Sequence, residues 1–179
     1  ELMEPGIVKI TVYADKVVLG SLKDGVPLDK VKEVCLLFDE AGIPTTWTTE
    51  IETFIWGKVL YNIALNALSC LLEVSYGELL NNEHARMIMR ELVEELFTVI
   101  QRHKIPLDWD SADAYITHLF SQLIPPTRDH YSSMLQDIRH GKRTEIDALN
   151  GKVVSLAEEI ACDLPVNRVL TALVKAKRQ

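Results

Sequence analysis

The chain is poor in the patterns that mark the commonest chemistries. It has three cysteines, Cys35, Cys70 and Cys162. Their number is odd and none forms a Cys-x-x-Cys pair, which speaks for reduced thiols rather than a disulfide framework or zinc site. The five histidines, His84, His103, His118, His130 and His140, are scattered without metal-ligand spacing. No Gly-x-Gly-x-x-Gly or other Gly-rich phosphate loop is present, and no Gly-x-Ser-x-Gly elbow. Positive charge is also short: 19 Lys and Arg face 26 Asp and Glu, a net charge of -7. That argues against broad nucleic-acid binding, which needs a basic face. The basic end, Lys175-Ala176-Lys177-Arg178-Gln179, falls at a predicted helix C-terminus, where cations suit the dipole. The longest apolar run, from Ile55 to Val74, is broken by Lys58, Asn62, Asn66 and Glu73, so it makes a poor membrane span. The opening Glu1-Leu2-Met3-Glu4-Pro5-Gly6 has neither a basic start nor a secretory apolar core. The expectation is a cytoplasmic protein with no metal, nucleic-acid or membrane partner, in a chain that need not begin at a natural start.

What is present is the composition of a globular protein, 47% hydrophobic and 25% charged over 179 residues. That suffices for one domain, or one domain and part of another. Residues 7–13 and 17–20 read as a β-hairpin. Helical spacing over 28–41 puts Val31, Val34, Cys35 and Phe38 on one face, with Gly42 as the C′ residue. Residues 43–48 are extended and rich in β formers. Two or three strands and one helix are too little for a domain. Residues 1–49 therefore read as the tail of an α/β domain whose earlier part is missing.

From residue 50 onward the pattern is helical. Helices are predicted over 51–71, 76–80, 82–103, 110–123, 133–139, 145–162 and 167–177, the last capped by Asn167 behind Pro165. Met87, Leu92, Leu96 and Ile100 are the expected core of the third of these, and Ile146, Leu149, Val153, Leu156 and Ile160 that of the sixth. The fold expected is mainly α: an all-α domain of about six helices over 50–179, after a small α/β remnant of a Rossmann-type domain.

The helix over 51–71 carries a polar stripe. Lys58, Asn62 and Asn66 fall at i, i+4 and i+8, and Ser69 continues that face within an arc of about 80°. Almost everything else in the segment is apolar, as in a buried helix. A lysine and two carboxamides there must meet polar partners or cost several kcal/mol. Two roles fit Lys58. Its stem can pack on the core while the head reaches water or a carboxylate. Alternatively it is a proton donor or carboxylate anchor in a cleft, made a usable acid by burial. Asn62 and Asn66 suit either an organised polar site or hydrogen bonds to a neighbouring loop.

A second cluster runs from His130 to Asp137 and from Lys142 to Gly151. Ser133 with Gln136 fits a capping box, and Thr144 with Asp147 a close variant. Glu145 then opens its helix, where the dipole favours an ionised carboxylate suited to pairing with Lys58. Arg143 and Lys142 fit a solvated face or a phosphate contact.

The motifs Trp56-x-Lys58-x3-Asn62-x3-Asn66, Ser132-Ser133-Met134-x2-Asp137, Arg143-Thr144-Glu145-Ile146-Asp147-x2-Asn150-Gly151 and Pro165-x-Asn167 match a known family in order and spacing. Together, over about residues 50–170, they resemble the C-terminal half of the 2-dehydropantoate 2-reductase (ketopantoate reductase) family. The resemblance implies NADPH-dependent reduction of a 2-oxo acid, ketopantoate to pantoate, in pantothenate and coenzyme A synthesis. It implies that Lys58 protonates the carbonyl oxygen, that Asn62 hydrogen-bonds the substrate, and that Ser133 binds its carboxylate. Glu145 would hold both substrate and lysine, with a contact to cofactor open, and Asn66 is a weaker substrate contact. His130 stands where the family often has asparagine. NADP(H) would be bound mainly by an N-terminal domain absent here, leaving this chain inactive alone. Two other readings remain: a non-catalytic helical binding or dimerisation module, and a relative that reduces another branched 2-oxo acid. Apolar helix positions leave a homodimer open.

Overall fold

The computed structural model describes residues 2–9, 16–22 and 25–177. The chain divides into two compact units, Glu1–Glu52 and Thr53–Gln179. The described residues hold eight α-helices, consistent with the mainly-α expectation.

In the first unit, strands β1 (Leu2–Glu4) and β2 (Ile7–Val8) pair antiparallel. Strand β3 (Val17–Gly20), helix α1 (Leu28–Glu40) and strand β4 (Thr45–Thr48) follow. β3 and β4 pair in parallel, in register from Val17 opposite Thr45 to Gly20 opposite Thr48. A parallel pair needs a crossover, and α1 supplies it, so the segment is a βαβ unit. Part of the expected hairpin, residues 10–15, lies outside the described residues. Among those described, 7–8 pairs with β1 and 17–20 with β4. The pairing is set by a partner 28 positions away in register, which a local pattern cannot reveal.

Helix α1 ends as expected at Gly42, whose φ is +80°. The Gly42 N–H donates to Asp39 O at 2.9 Å and the Ile43 N–H to Phe38 O at 2.9 Å, the two bonds of a Schellman cap. Only Val31 and Cys35 of its apolar face are buried, while Val34 and Phe38 stay exposed. Parallel sheets are normally covered on both faces, so this unit leaves apolar surface that an isolated domain would bury.

The second unit is built round α2 (Ile51–Leu72). By length and composition α2 would suffice to cross a membrane. Its burial explains that composition: Leu60, Ile63, Ala64, Leu65, Ala67 and Cys70 are fully buried in one core. Around it lie α3 (Tyr76–Asn81), α4 (Glu83–His103), α5 (Ala112–His118), α6 (Ser133–Arg139), α7 (Asn150–Glu159) and α8 (Pro165–Lys177). α5 continues as a π-helical turn, Leu119–Leu123, and the Pro125–Thr127 3-10 turn stops it. Helix starts follow side-chain chemistry. Ser75 and Glu78 form a capping box on α3, Asn82 caps α4 and Ser111 caps α5. Leu92, Leu96 and Ile100 of α4 are buried as expected, but Met87 is exposed.

Helix α6 keeps its expected bounds, but its cap differs, and two other predicted helix starts move. Ser132, not Ser133, caps α6, accepting from the Leu135 N–H at 3.1 Å. The helix predicted from Glu145 begins five residues later, at Asn150, and ends at Glu159. Residues 145–149 form turns instead, with the Ala148 and Leu149 N–H groups both donating to Glu145 O. Asp147, expected in a capping box, lies in these turns and pairs with Arg143, at 3.9 Å, and with Lys175 of α8. Asn167 lies inside α8 rather than capping it. The cap comes from Glu95 of α4, whose carboxylate accepts the Val166 N–H at 2.8 Å and the Asn167 N–H at 3.0 Å. A carboxylate there also meets the positive end of the helix dipole.

Candidate active site

The polar stripe exists as predicted and changes character along its length. At 1.5 Å per residue, Ser69 lies about 16 Å along the axis from Lys58. Lys58 is exposed, Asn62 half-buried, and Asn66 and Ser69 buried. The burial that the acid reading asks of Lys58 is therefore not supplied by these residues.

The two buried members are spent on protein. The Tyr76 hydroxyl donates to Asn66 Oδ1 at 2.9 Å. Burial pushes the Tyr76 phenol well above its ordinary pKa, with the neighbouring Tyr61 adding to the shift, so it stays a neutral donor. The Tyr61 ring meets Tyr76 edge-on at 5.9 Å, and its hydroxyl lies 2.7 Å from Thr127 Oγ1. Ser69 Oγ donates to Val74 O at 2.8 Å and accepts from the Ser132 N–H at 3.2 Å. The buried half of the stripe thus ties down the 73–76 turn and the loop entering α6. The other half is unspent. Among the described residues neither the Lys58 nor the Asn62 side chain makes a hydrogen bond or ion pair.

Ser133 is exposed as the first residue of α6, beside the buried cap Ser132. The same loop is held to α3 by Tyr76 N–H to His130 O, 2.9 Å, and Gly77 N–H to Arg128 O, 2.7 Å. Gly77 is required for that approach, because a Cβ there would sit 2.9 Å from Arg128 O.

Glu145 is exposed in the turns before α7, with no ion pair among the described residues. It is not at a helix start, so the dipole argument for its charge falls away. Its segment is anchored on both sides. Arg143 and Lys175 hold Asp147. On the other side, buried Asn150 donates through Nδ2 to Asn167 Oδ1 at 3.0 Å, and Asn167 Nδ2 donates to Glu95 Oε2 at 2.8 Å. The sequence points to Asn150 only within a motif and to Asn167 as a motif residue and helix cap, and gives no sign of Glu95. A carboxylate on an amphipathic helix carries no local sign that it caps a helix about 70 residues away.

Among the described residues no group of three or more His, Cys, Asp and Glu is placed to hold a metal ion. Two clefts of the second unit are lined by other residues. One of about 370 Å³ is lined by Ser75, Gly77, Glu78, Arg128, Asp129 and Tyr131. Another, of about 350 Å³, lies between the Asp147–Gly151 segment and α8.

Lys58 and Asn62 share one face of α2, Ser133 and Glu145 are exposed on two other segments, and comparison with known proteins gives the family. The family described as "Ketopantoate reductase PanE/ApbA C terminal" matches residues 50–178. The chain is 42% identical over 177 residues to the 2-dehydropantoate 2-reductase of Aquifex aeolicus, covering 99% of this chain and 57% of that protein. It is similar to a crystal structure of a PanE/ApbA family ketopantoate reductase from Ralstonia eutropha, with a TM-score of 0.77 and 29% identity. That match covers 93% of this chain and 53% of the other. It is also similar to D-mandelate dehydrogenase in its ternary structure with NADH and anilino(oxo)acetate. There the TM-score is 0.79 and the identity 31%, over 90% of this chain and 65% of the other.

The chain belongs to the ketopantoate reductase family, as its helical C-terminal domain. It spans little more than half the length of the Aquifex relative.

Proposed function

We propose that the whole protein reduces ketopantoate to pantoate with NADPH, in pantothenate and coenzyme A synthesis, and that residues 50–179 form its substrate-binding and catalytic domain. The observation that carries this is the split stripe. A non-catalytic module predicts that other side chains fill the stripe throughout. Asn66 and Ser69 are filled, but Lys58 and Asn62 of the same face are not.

A 2-oxo acid presents a carboxylate and a carbonyl, so it needs hydroxyl and amide donors and one proton donor. The nicotinamide cofactor, when bound, supplies the hydride to the carbonyl carbon. The Lys58 ammonium gives its proton to the carbonyl oxygen, so the ketone becomes an alcohol and the neutral amine regains a proton from water. Asn62 donates its carboxamide N–H to the substrate. Ser133 donates its hydroxyl to the substrate carboxylate. Glu145 accepts from the substrate and pairs with the ammonium, fixing where the proton is delivered. Asn66, with Oδ1 taken by Tyr76, keeps Nδ2 for a weaker contact.

Residues 1–49 are assigned to the end of a nucleotide-binding α/β domain. Their βαβ unit and uncovered apolar side chains support this. These 179 residues contain no Gly-rich cradle for the cofactor phosphates, so the cofactor's main grip is assigned to the rest of the whole protein, and the chain alone is expected to be inactive. The exposed Val169 and Leu173 on one side of α8 offer a face for a homodimer.

The likeness to a D-mandelate dehydrogenase structure holding NADH favours one alternative, a relative acting on another 2-oxo acid. A panel on the full-length protein decides: ketopantoate, aliphatic 2-oxo acids and phenylglyoxylate, each with NADPH and NADH. The highest kcat/KM is expected for ketopantoate with NADPH. A clear preference for phenylglyoxylate or NADH would replace this reading with the alternative, and no turnover of any 2-oxo acid would reject both.

A further inference from the structure

We propose that Ser69 is a positioning residue for substrate binding, acting through the loop that carries Ser133. The inference rests on the assignment of the substrate carboxylate to Ser133.

Ser69 has no exposed surface, and its hydroxyl makes two bonds that join separate parts of the chain. It donates to Val74 O, in the turn after α2, at 2.8 Å. It accepts from the backbone N–H of Ser132 at 3.2 Å. Ser132 is equally buried and caps α6 through the Leu135 N–H. The order is therefore Ser69, then Ser132, then the first turn of α6, where Ser133 points outward. Other bonds hold the loop upstream, at Arg128 and His130, and the far end of α6 through Arg139 to Glu73 at 3.3 Å. Ser69 is the tie next to Ser133, and it fixes that residue to the helix that carries Lys58 and Asn62.

A buried donor or acceptor left without its partner is costly, so removing the hydroxyl drives rearrangement of one of the two segments. The turn at 73–76 is also held by the Ser75–Glu78 capping box and by Tyr76. Between His130 and α6 the loop loses its bond to the rest of the fold, so Ser132 shifts, and Ser133 with it. Lys58 sits about three turns away on a buried helix and does not move. The loss falls on binding of the carboxylate and not on proton delivery.

In the full-length protein, Ser69→Ala is expected to raise KM for the 2-oxo acid about tenfold, the loss of one charge-assisted hydrogen bond. kcat should stay within about twofold, as for loss of a contact made equally in ground and transition states. Ser69→Cys, which keeps the size and a weak donor, should fall between and serves if the alanine variant does not fold. The Ser69→Ala effect should vanish in a Ser133→Ala background. In the 179-residue chain, hydrogen exchange at the Ser132 amide should quicken at least about tenfold while Leu65 and Leu68 amides of α2 are unchanged. Undiminished Ser69→Ala effects in the Ser133→Ala background, a fall in kcat with KM unchanged, or unaltered Ser132 exchange would each overturn the inference. Failure of the wild-type full-length protein to bind any 2-oxo acid is a different result. It rejects the functional reading, and the substrate role of Ser69 with it, whatever the exchange shows.

Discussion

Asn167→Ala tests how the Glu145 segment is anchored. Asn167 has no exposed surface. Its Nδ2 donates to Glu95 Oε2 at 2.8 Å, and its Oδ1 accepts from Asn150 Nδ2 at 3.0 Å. Alanine removes a hydrogen bond to a charged group, worth about 1.5–3 kcal/mol. It also strands the Asn150 amide. Asn150 Oδ1 already lacks a partner, so the whole buried carboxamide would be unsatisfied, at a further cost of about 1–3 kcal/mol. The backbone N–H bonds to Glu95 survive, so α8 keeps its cap. The sum is about 2.5–6 kcal/mol of unfolding free energy. With a urea slope of about 2 kcal/mol/M, the midpoint should fall by about 1.3–3 M. Equilibrium urea unfolding of the 179-residue chain, followed by far-ultraviolet circular dichroism, reads this directly. Glu95→Gln, which keeps one acceptor oxygen and loses the charge, should cost less than Asn167→Ala. A loss under about 1 kcal/mol for Asn167→Ala, or the reverse order, would refute the argument.

Gly77→Ala should destabilise by about 1–3 kcal/mol, the usual cost of overpacking, because its Cβ would lie 2.9 Å from Arg128 O. A thermal melt checks it, and an unchanged Tm contradicts it. Hydrogen bonds from Lys177 and then Arg139 hold the Glu73 carboxyl below the usual carboxylate range. A depressed folded pKa adds stability above the unfolded pKa and loses it as pH falls through the folded value. The stability gap between wild type and Glu73→Gln should therefore be constant near neutrality and close on acidification below the ordinary carboxylate range. A gap that widens there would reverse the sign of the argument.

What was legible in the sequence was local. α1, expected over 28–41, spans Leu28–Glu40 with its Gly42 cap, and α2, expected over 51–71, spans Ile51–Leu72. Apolar periodicity and a single glycine determine such segments. The stripe was legible too, because helical spacing alone puts Lys58, Asn62, Asn66 and Ser69 on one face. How that face divides was not. Whether an asparagine meets substrate or Tyr76 depends on which loop packs against it. The misplaced helix starts share a cause. The pattern Thr144-x-x-Asp147 suggests a cap, but Asp147 pairs with Lys175, 28 residues away. Asn167 behind Pro165 suggests a cap, but Glu95 supplies it. The two predicted helices were real, and long-range polar contacts moved their first residues.

The central claim is that the free end of the stripe delivers a proton to a 2-oxo acid. Steady-state reduction of ketopantoate by the full-length protein, wild type against Lys58→Ala, tests it most directly. Loss of a general acid should lower kcat by about 10²–10⁴-fold, with the circular dichroism of α2 and its neighbours unchanged. A folded Lys58→Ala protein with near-normal kcat would contradict the account.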